Sequence, residues 1–301
     1  MAVRGEQSAG LPGGAAATLV GFTAIMMWSL LALLTAASGR VPPFQLAAMT
    51  FAIGGLLGAA SWMFRGGAMV ALRQPPEVWA LGIFGLFGYH ALYFMALRLA
   101  PPAESGLINY LWPLLIVLFS AFLPGERLQP HHVAGALLGL VGTIVLVAGR
   151  VQLGFAAEFI PGYCAAFVAA FVWAIYSVLS RRFASVPTDA VVGFCLVTAF
   201  LGTICHLLFE QTVWPDNAGQ WFAILALGIG PVGAAFYVWD IGMKRGDIRI
   251  LGATSYAAPV FSTIFLVLAG FAEATISLVA AAILIAGGGL LAAKDMLRRK
   301  S

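Results

Sequence analysis

The chain has 301 residues, 61% of them apolar and only 9% charged, with a mean hydropathy of +0.97. A soluble domain carries about 25% charged residues, so this composition excludes one and points to a polytopic helical membrane protein embedded in a lipid bilayer. The net charge of +4 then reports topology rather than a nucleic-acid partner.

Residues 1–13 are rich in Gly, Pro and Ala, lack the pattern of a secretory signal, and read as a short flexible tail. Ten apolar helices are expected after it, at about 14–37, 43–64, 77–99, 103–122, 130–149, 160–182, 187–209, 219–243, 249–270 and 274–296. Each is long enough to cross a hydrocarbon core of about 30 Å at about 1.5 Å per residue. Prolines mark the connections, among them Pro42–Pro43, Pro75–Pro76, Pro101–Pro102, Pro130 and Pro187. With the N-terminus inside, thirteen Lys and Arg fall on the cytoplasmic side and three, Arg40, Arg98 and Arg150, on the other. The positive-inside rule therefore predicts that both termini are cytoplasmic.

An internal echo runs along the chain at an offset of 145–147 residues: Trp28 with Trp173, Tyr93 with Trp239, Arg98 with Lys244, Gly106 with Gly252, Tyr110 with Tyr256, Pro113 with Pro259, and Glu126 with Glu273. It divides the chain into a first five-helix repeat, 14–150, and a second, 151–301, which ends in a short basic tail. An odd number of helices per half makes the two repeats inverted. Secondary transporters use this architecture to give alternating access to a site between the halves.

The stretch Tyr89–Pro113 gathers the residues best suited to such a site. On the third helix, Tyr89, His90 and Tyr93 share an arc of about 100° near the bilayer midplane, where their polar tips need partners. An ionisable residue at that depth is a functional candidate. His90 either meets substrate or a proton, or bonds a neighbouring helix as a neutral ring. On the fourth helix, Asn109, Tyr110 and Trp112 precede Pro113, whose missing N–H frees the Asn109 carbonyl, as Pro259 frees that of Ser255 beside Tyr256. Each freed carbonyl could bind an ammonium group, or the proline could serve only as a kink. Tyr110 and Trp112 suit an aromatic side chain or a cation. Trp28 and Trp173, at mid-depth, line a cavity or pack the halves together, and Tyr176 shares the face of Trp173.

Asp240 and Lys244 form an i, i+4 pair near the cytoplasmic end of the eighth helix and read as a structural or gating ion pair. His206 and Glu210, at the outer end of the seventh, read as a solvated rim. Glu104, in the first turn of its helix, is expected to pair with Arg98. Gly54–Gly55, Gly58 and Gly287–Gly289 are small-residue runs for close helix packing. Cys164, Cys195 and Cys205 lie in apolar stretches without CxxC or His–Cys spacing, so neither a disulfide framework nor a metal site or cofactor is expected. There is no Walker A, HExxH or GxSxG sequence, so an enzyme is not expected.

Two five-helix halves, each with a Trp in its first helix, a Gly-x-x-x-Tyr-x-x-Pro run in its fourth and a Glu just after it, resemble the drug/metabolite transporter superfamily, in its EamA-like ten-helix form. Within it, the Tyr-His-x-x-Tyr run at Tyr89–Tyr93 and the Asn-Tyr-Leu-Trp-Pro run at Asn109–Pro113 resemble the YddG-type bacterial exporters of aromatic amino acids. The resemblance implies export of amino acids across the bacterial inner membrane, with the site between the halves; a monomer could serve as the working unit, and the oligomeric state stays open. Efflux of cationic drugs is the nearest alternative, and a membrane scaffold or intramembrane enzyme the alternative from another class.

Overall fold

The computed structural model describes residues 14–65, 68–270 and 272–295. The tail at 1–13 and the basic Arg298, Arg299 and Lys300 lie outside them. Among the described residues the fold is all-helical. Nine helices are long and apolar enough to cross a membrane: α1 (Gly14–Ala37), α2 (Pro43–Phe64), α3 (Pro76–Leu99), α4 (Pro102–Phe122), α5 (Pro130–Ala148), α6 (Ala157–Phe183), α7 (Ala190–Phe209), α8 (Ala218–Arg245) and α9 (Ile248–Leu268). The last, α10 (Ile276–Ala292), is apolar but shorter than the sequence suggested, at 17 residues. Thr275 sets its start, its hydroxyl accepting the Leu278 N–H at 3.3 Å. Pro43, Pro76, Pro102 and Pro130 open four of the helices, at positions where an N–H has no intrahelical partner to lose.

Helices of one half pack mainly against helices of the other: α1 on α8, α3 on α6, α2 on α7, α4 on α9 and α5 on α10. Exchanging each helix for its counterpart five places along leaves this list unchanged, as a two-fold relation between the halves requires. Glycines set the closest crossings, because lipid supplies no hydrophobic drive and close backbone approach must do so. A Cβ on Gly54 would come within 2.7 Å of the Gly233 Cα, and one on Gly135 within 2.5 Å of the Gly288 carbonyl oxygen.

Two further features repeat. A π-helical turn interrupts α3 at Phe84–Gly88 and α8 at Gly230–Ala234, 146 positions apart. The fourth helix of each half is broken just before its proline, α4 between Asn109 and Trp112 ahead of Pro113, α9 between Thr254 and Ala257 ahead of Pro259. The α4 break follows from the N–H that Pro113 cannot return to Asn109. In α9 the Ser255 carbonyl is not free: the Ala258 N–H donates to it at 3.1 Å.

At the α3–α4 end, the rim expected to be solvated is buried. The Glu210 side chain, 1% exposed, accepts from the Phe44 and Gln45 N–H groups at 3.1 Å each, from Arg98 at 2.7 Å and from His206 Nδ1 at 3.1 Å. Gln45 closes the knot by bonding the Val213 N–H and carbonyl, each at 3.0 Å. Arg98 therefore does not pair with Glu104, which instead accepts the Gly154 N–H at 3.0 Å.

At the α4–α5 end, Glu126 accepts from Arg181 at 2.8 Å and lies 3.5 Å from Arg249. Asp247 caps α9 and also bonds Arg249. Burial pushes the Asp247 carboxyl up, but Arg249 and the backbone N–H groups of Ile250 and Arg249 outweigh it and hold the group below its usual value. Its stabilisation is then complete above the ordinary Asp range and is lost as pH falls through the lower folded value. Asp247→Asn keeps the cap without the charge; it should melt below wild type at neutral pH, and the gap should close on titration towards acid. A gap independent of pH would contradict this.

Candidate functional site

The π turn of α3 brings the Leu86 carbonyl to His90, whose Nδ1–H donates to it at 2.7 Å. A carbonyl can only accept, so Nδ1 carries the proton and Nε2 of the neutral ring is left as an acceptor. Thus the partner of His90 lies in its own helix, and no hydrogen bond from a described residue reaches Nε2. The ring is held edge-on by Phe51 at 5.0 Å, Tyr89 at 5.1 Å, Phe94 at 5.9 Å and Phe236 at 6.0 Å. Tyr89 stacks on Tyr93 at 5.9 Å, and its hydroxyl accepts from Asn109 Nδ2 at 3.0 Å. That bond orients the Asn109 amide, whose Oδ1 is buried without a partner.

These groups wall a cavity of about 710 Å³ between the two halves. Of the residues singled out in the sequence, Trp28, Tyr89, His90, Tyr93, Asn109, Tyr110, Trp112 and Trp173 all line it. Tyr176 and Tyr256 do not. Tyr176 faces a separate void of about 20 Å³, and Tyr256, fully buried, packs its ring on Gly139 of α5. Among the described residues lining the large cavity none is Asp, Glu, Lys or Arg. Thr35, Thr50, Ser262, Phe51, Phe94 and Phe236 also contribute and were not singled out in the sequence. Phe94 could have been: it stands one helical turn after His90 on the same face.

The cavity reaches towards the α3–α4 end, where Thr35, Val41, Pro43 and Leu97 line it. At its other end stand four indoles. Trp28 lies 5.0 Å from Trp239, 5.6 Å from Trp173 and 6.2 Å from Trp112. Trp112 and Trp173 are each in contact with Trp239, at 6.0 and 6.3 Å. Trp28 and Trp173 therefore both line the cavity and pack the halves together. Two indole N–H groups are tied down, Trp28 to the Pro231 carbonyl at 3.0 Å and Trp239 to Ser177 Oγ at 3.1 Å.

Beyond this floor, Asp240 and Lys244 form their pair at 2.9 Å, their side chains 3% and 5% exposed. Thr188 donates to Asp240 at 2.7 Å, and Lys244 donates to the Val186 carbonyl at 2.9 Å. A second polar cluster, His131, His132 and Asp295, has metal-like spacing. It suits an ion poorly, because His132 Nδ1 accepts the Gln129 N–H at 3.1 Å, which leaves Nε2 protonated and without a lone pair.

A bundle of apolar helices with paired halves, enclosing an aromatic, uncharged cavity that is floored at one end, defines a multi-pass membrane protein built to pass a small solute. The model of the EamA-like transporter family matches it twice, over residues 15–148 and 160–293, and the chain belongs to that family. Among its relatives, the aromatic amino acid exporter YddG of Ancylobacter novellus is 62% identical over 92% of this chain and 96% of its own. The exporter of the same name from Escherichia coli is 28% identical over 91% and 96% of the two chains. The pseudopaline exporter CntI of Pseudomonas aeruginosa is 28% identical over 86% and 87%. A crystal structure 61% identical to this chain superimposes with a TM-score of 0.90, covering 95% of this chain and 99% of that one.

Proposed function

We propose that this protein is a secondary transporter exporting aromatic and other amphipathic amino acids across the bacterial inner membrane by alternating access. The observation that carries the reading is the cavity itself, ring-lined and without a charged side chain. It matches a solute neutral overall, with a large apolar side chain, and the YddG relatives export such solutes by name. A cavity without a carboxylate gives a cationic drug no counter-charge.

In this reading the two halves are inverted five-helix repeats, with ten spans and both termini cytoplasmic. The excess of Lys and Arg at the α4–α5 end supports that orientation, and the α3–α4 end of the cavity, its mouth in this reading, then faces outward. Tyr93, Tyr110 and Trp112 hold the side chain. His90 Nε2 and Asn109 Oδ1, two acceptors without a protein partner, receive the ammonium. Losing a hydrogen bond to a charged group costs about 1.5–3 kcal/mol, roughly ten- to a hundredfold in affinity. Counterflow of phenylalanine in proteoliposomes should fall by that order in His90→Ala, and should also fall in Trp112→Ala, which removes a ring from the cavity wall. Wild-type counterflow in both variants at normal expression would refute the site, and no counterflow of any amino acid by wild type would refute the function.

A further inference from the structure

The large cavity and the small void are the same construction in two states. The outward mouth is built on Leu31, Thr35, Val41 and Phe94. Their counterparts in the second half, 145 or 146 positions along, are Tyr176, Ser180, Val186 and Asp240, and all four line the void of about 20 Å³. The register is anchored at three places: Trp28 with Trp173, Val41–Pro42 with Val186–Pro187, and the π turn at Phe84–Gly88 with that at Gly230–Ala234. The cavity on one side holds about 710 Å³, while the void on the other has closed to little more than the space of one water. Exchange of the two halves' conformations would open the second mouth to the cytoplasm.

The two mouths differ in chemistry. Where the outward one has Phe94 and Arg98, the closed one has Asp240 and Lys244. Arg98 is turned away to Glu210 and is 44% exposed, so the outward mouth is uncharged. Asp240 and Lys244 are instead turned on each other inside the void.

We propose that the closed mouth, once open, is a loading site for the zwitterion of an α-amino acid, with Asp240 receiving the ammonium and Lys244 the carboxylate. This rests on the transport reading above and adds a second binding site to it. In the present state each charged side chain occupies the other's place. A zwitterion can part them and leave both paired when the mouth closes again around it, whereas a lone cation or anion leaves one charge uncompensated in the closed, dry site. The geometry selects the α-amino acid pattern: its two charged groups share one carbon, and residues at i and i+4 stand one helical turn apart on one face. Thr188 and the Val186 carbonyl, on the α6–α7 connection, keep a hold on the two heads when they separate. Selection for both charges then takes place on the cytoplasmic side, before the solute reaches a cavity that recognises mainly its ring.

The test offers phenylalanine, phenylalaninamide, which lacks the carboxylate, and N-acetylphenylalanine, which lacks the ammonium. Each is presented to inside-out and to right-side-out membrane vesicles, with vesicles lacking the protein as background. From the cytoplasmic face wild type should prefer phenylalanine to either analogue by roughly tenfold more than it does from the outer face. From that face Lys244→Met should lose the preference over the amide, and Asp240→Asn the preference over the N-acetyl compound. A pair that merely latches the helices predicts a fall by one common factor for all three solutes, and that result would overturn the proposal. So would a wild type with equal selectivity from both faces, a comparison that needs no variant. A wild type that moves none of the three overturns the transport reading instead.

Discussion

Glu210→Ala should lower the stability of the detergent-solubilised protein by about 3–5 kcal/mol, because several donors lose one shared acceptor at about 1–3 kcal/mol for each left unsatisfied. Four donors converge on that carboxylate: the first-turn N–H groups of Phe44 and Gln45, the Arg98 guanidinium and His206. The backbone pair cannot turn to each other, since first-turn N–H groups have no intrahelical acceptor. Removing the acceptor strands them beside a side chain that was 1% exposed. Arg98→Met leaves a carboxylate that is 1% exposed but keeps its two backbone donors and His206, so it should cost about 1.5–3 kcal/mol, the range for one lost hydrogen bond to a charged group. Glu210→Gln keeps one oxygen for the backbone donors and should fall between the two. The order Ala, Gln, then Arg98→Met in thermal midpoint is the prediction. An Ala variant no less stable than Arg98→Met would show the knot to be incidental.

That knot shows where reading the sequence stops. His206 and Glu210 were visible as an i, i+4 pair, but the N–H groups that bury Glu210 come from residues 165 and 166 positions away. No local pattern carries that. The helices themselves were legible to within about four residues, because membrane spans are set by length, apolarity and proline punctuation, all of which are local. The wall at Tyr89–Pro113 was legible for the same reason: rings and polar tips at helical spacing on one face. The repeat gave the second half its outline but misled about Tyr256. Its counterpart Tyr110 lines the large cavity, whereas Tyr256 packs on Gly139 outside it, so equivalence in sequence did not carry over to equivalence in surroundings. Trp239, matched to Tyr93 in the sequence, became one of the four indoles of the floor only through contacts across the halves.

The floor supplies the second large effect. Trp173, 3% exposed, has ring contacts with Trp28, Trp112 and Trp239, and with Tyr89 on the cavity side and Tyr176 on the side of the small void. It thus stands between the large cavity and the small void. Trp173→Ala should cost about 3 kcal/mol, the low end for a buried Trp→Ala change, since in lipid or detergent the packing loss remains but the transfer gain is small. Its larger consequence is a continuous path. With the native cysteines replaced, Ser180→Cys marks the small void, which Ser180 lines. A membrane-impermeant maleimide added outside should leave that thiol unlabelled behind an intact floor and label it in the Trp173→Ala background. Trp173→Phe, which keeps a ring between Tyr89 and Tyr176, should restore protection. Labelling that is equal with and without Trp173 would place the barrier elsewhere, below the indoles at the Asp240–Lys244 pair or at Glu126 and Arg181.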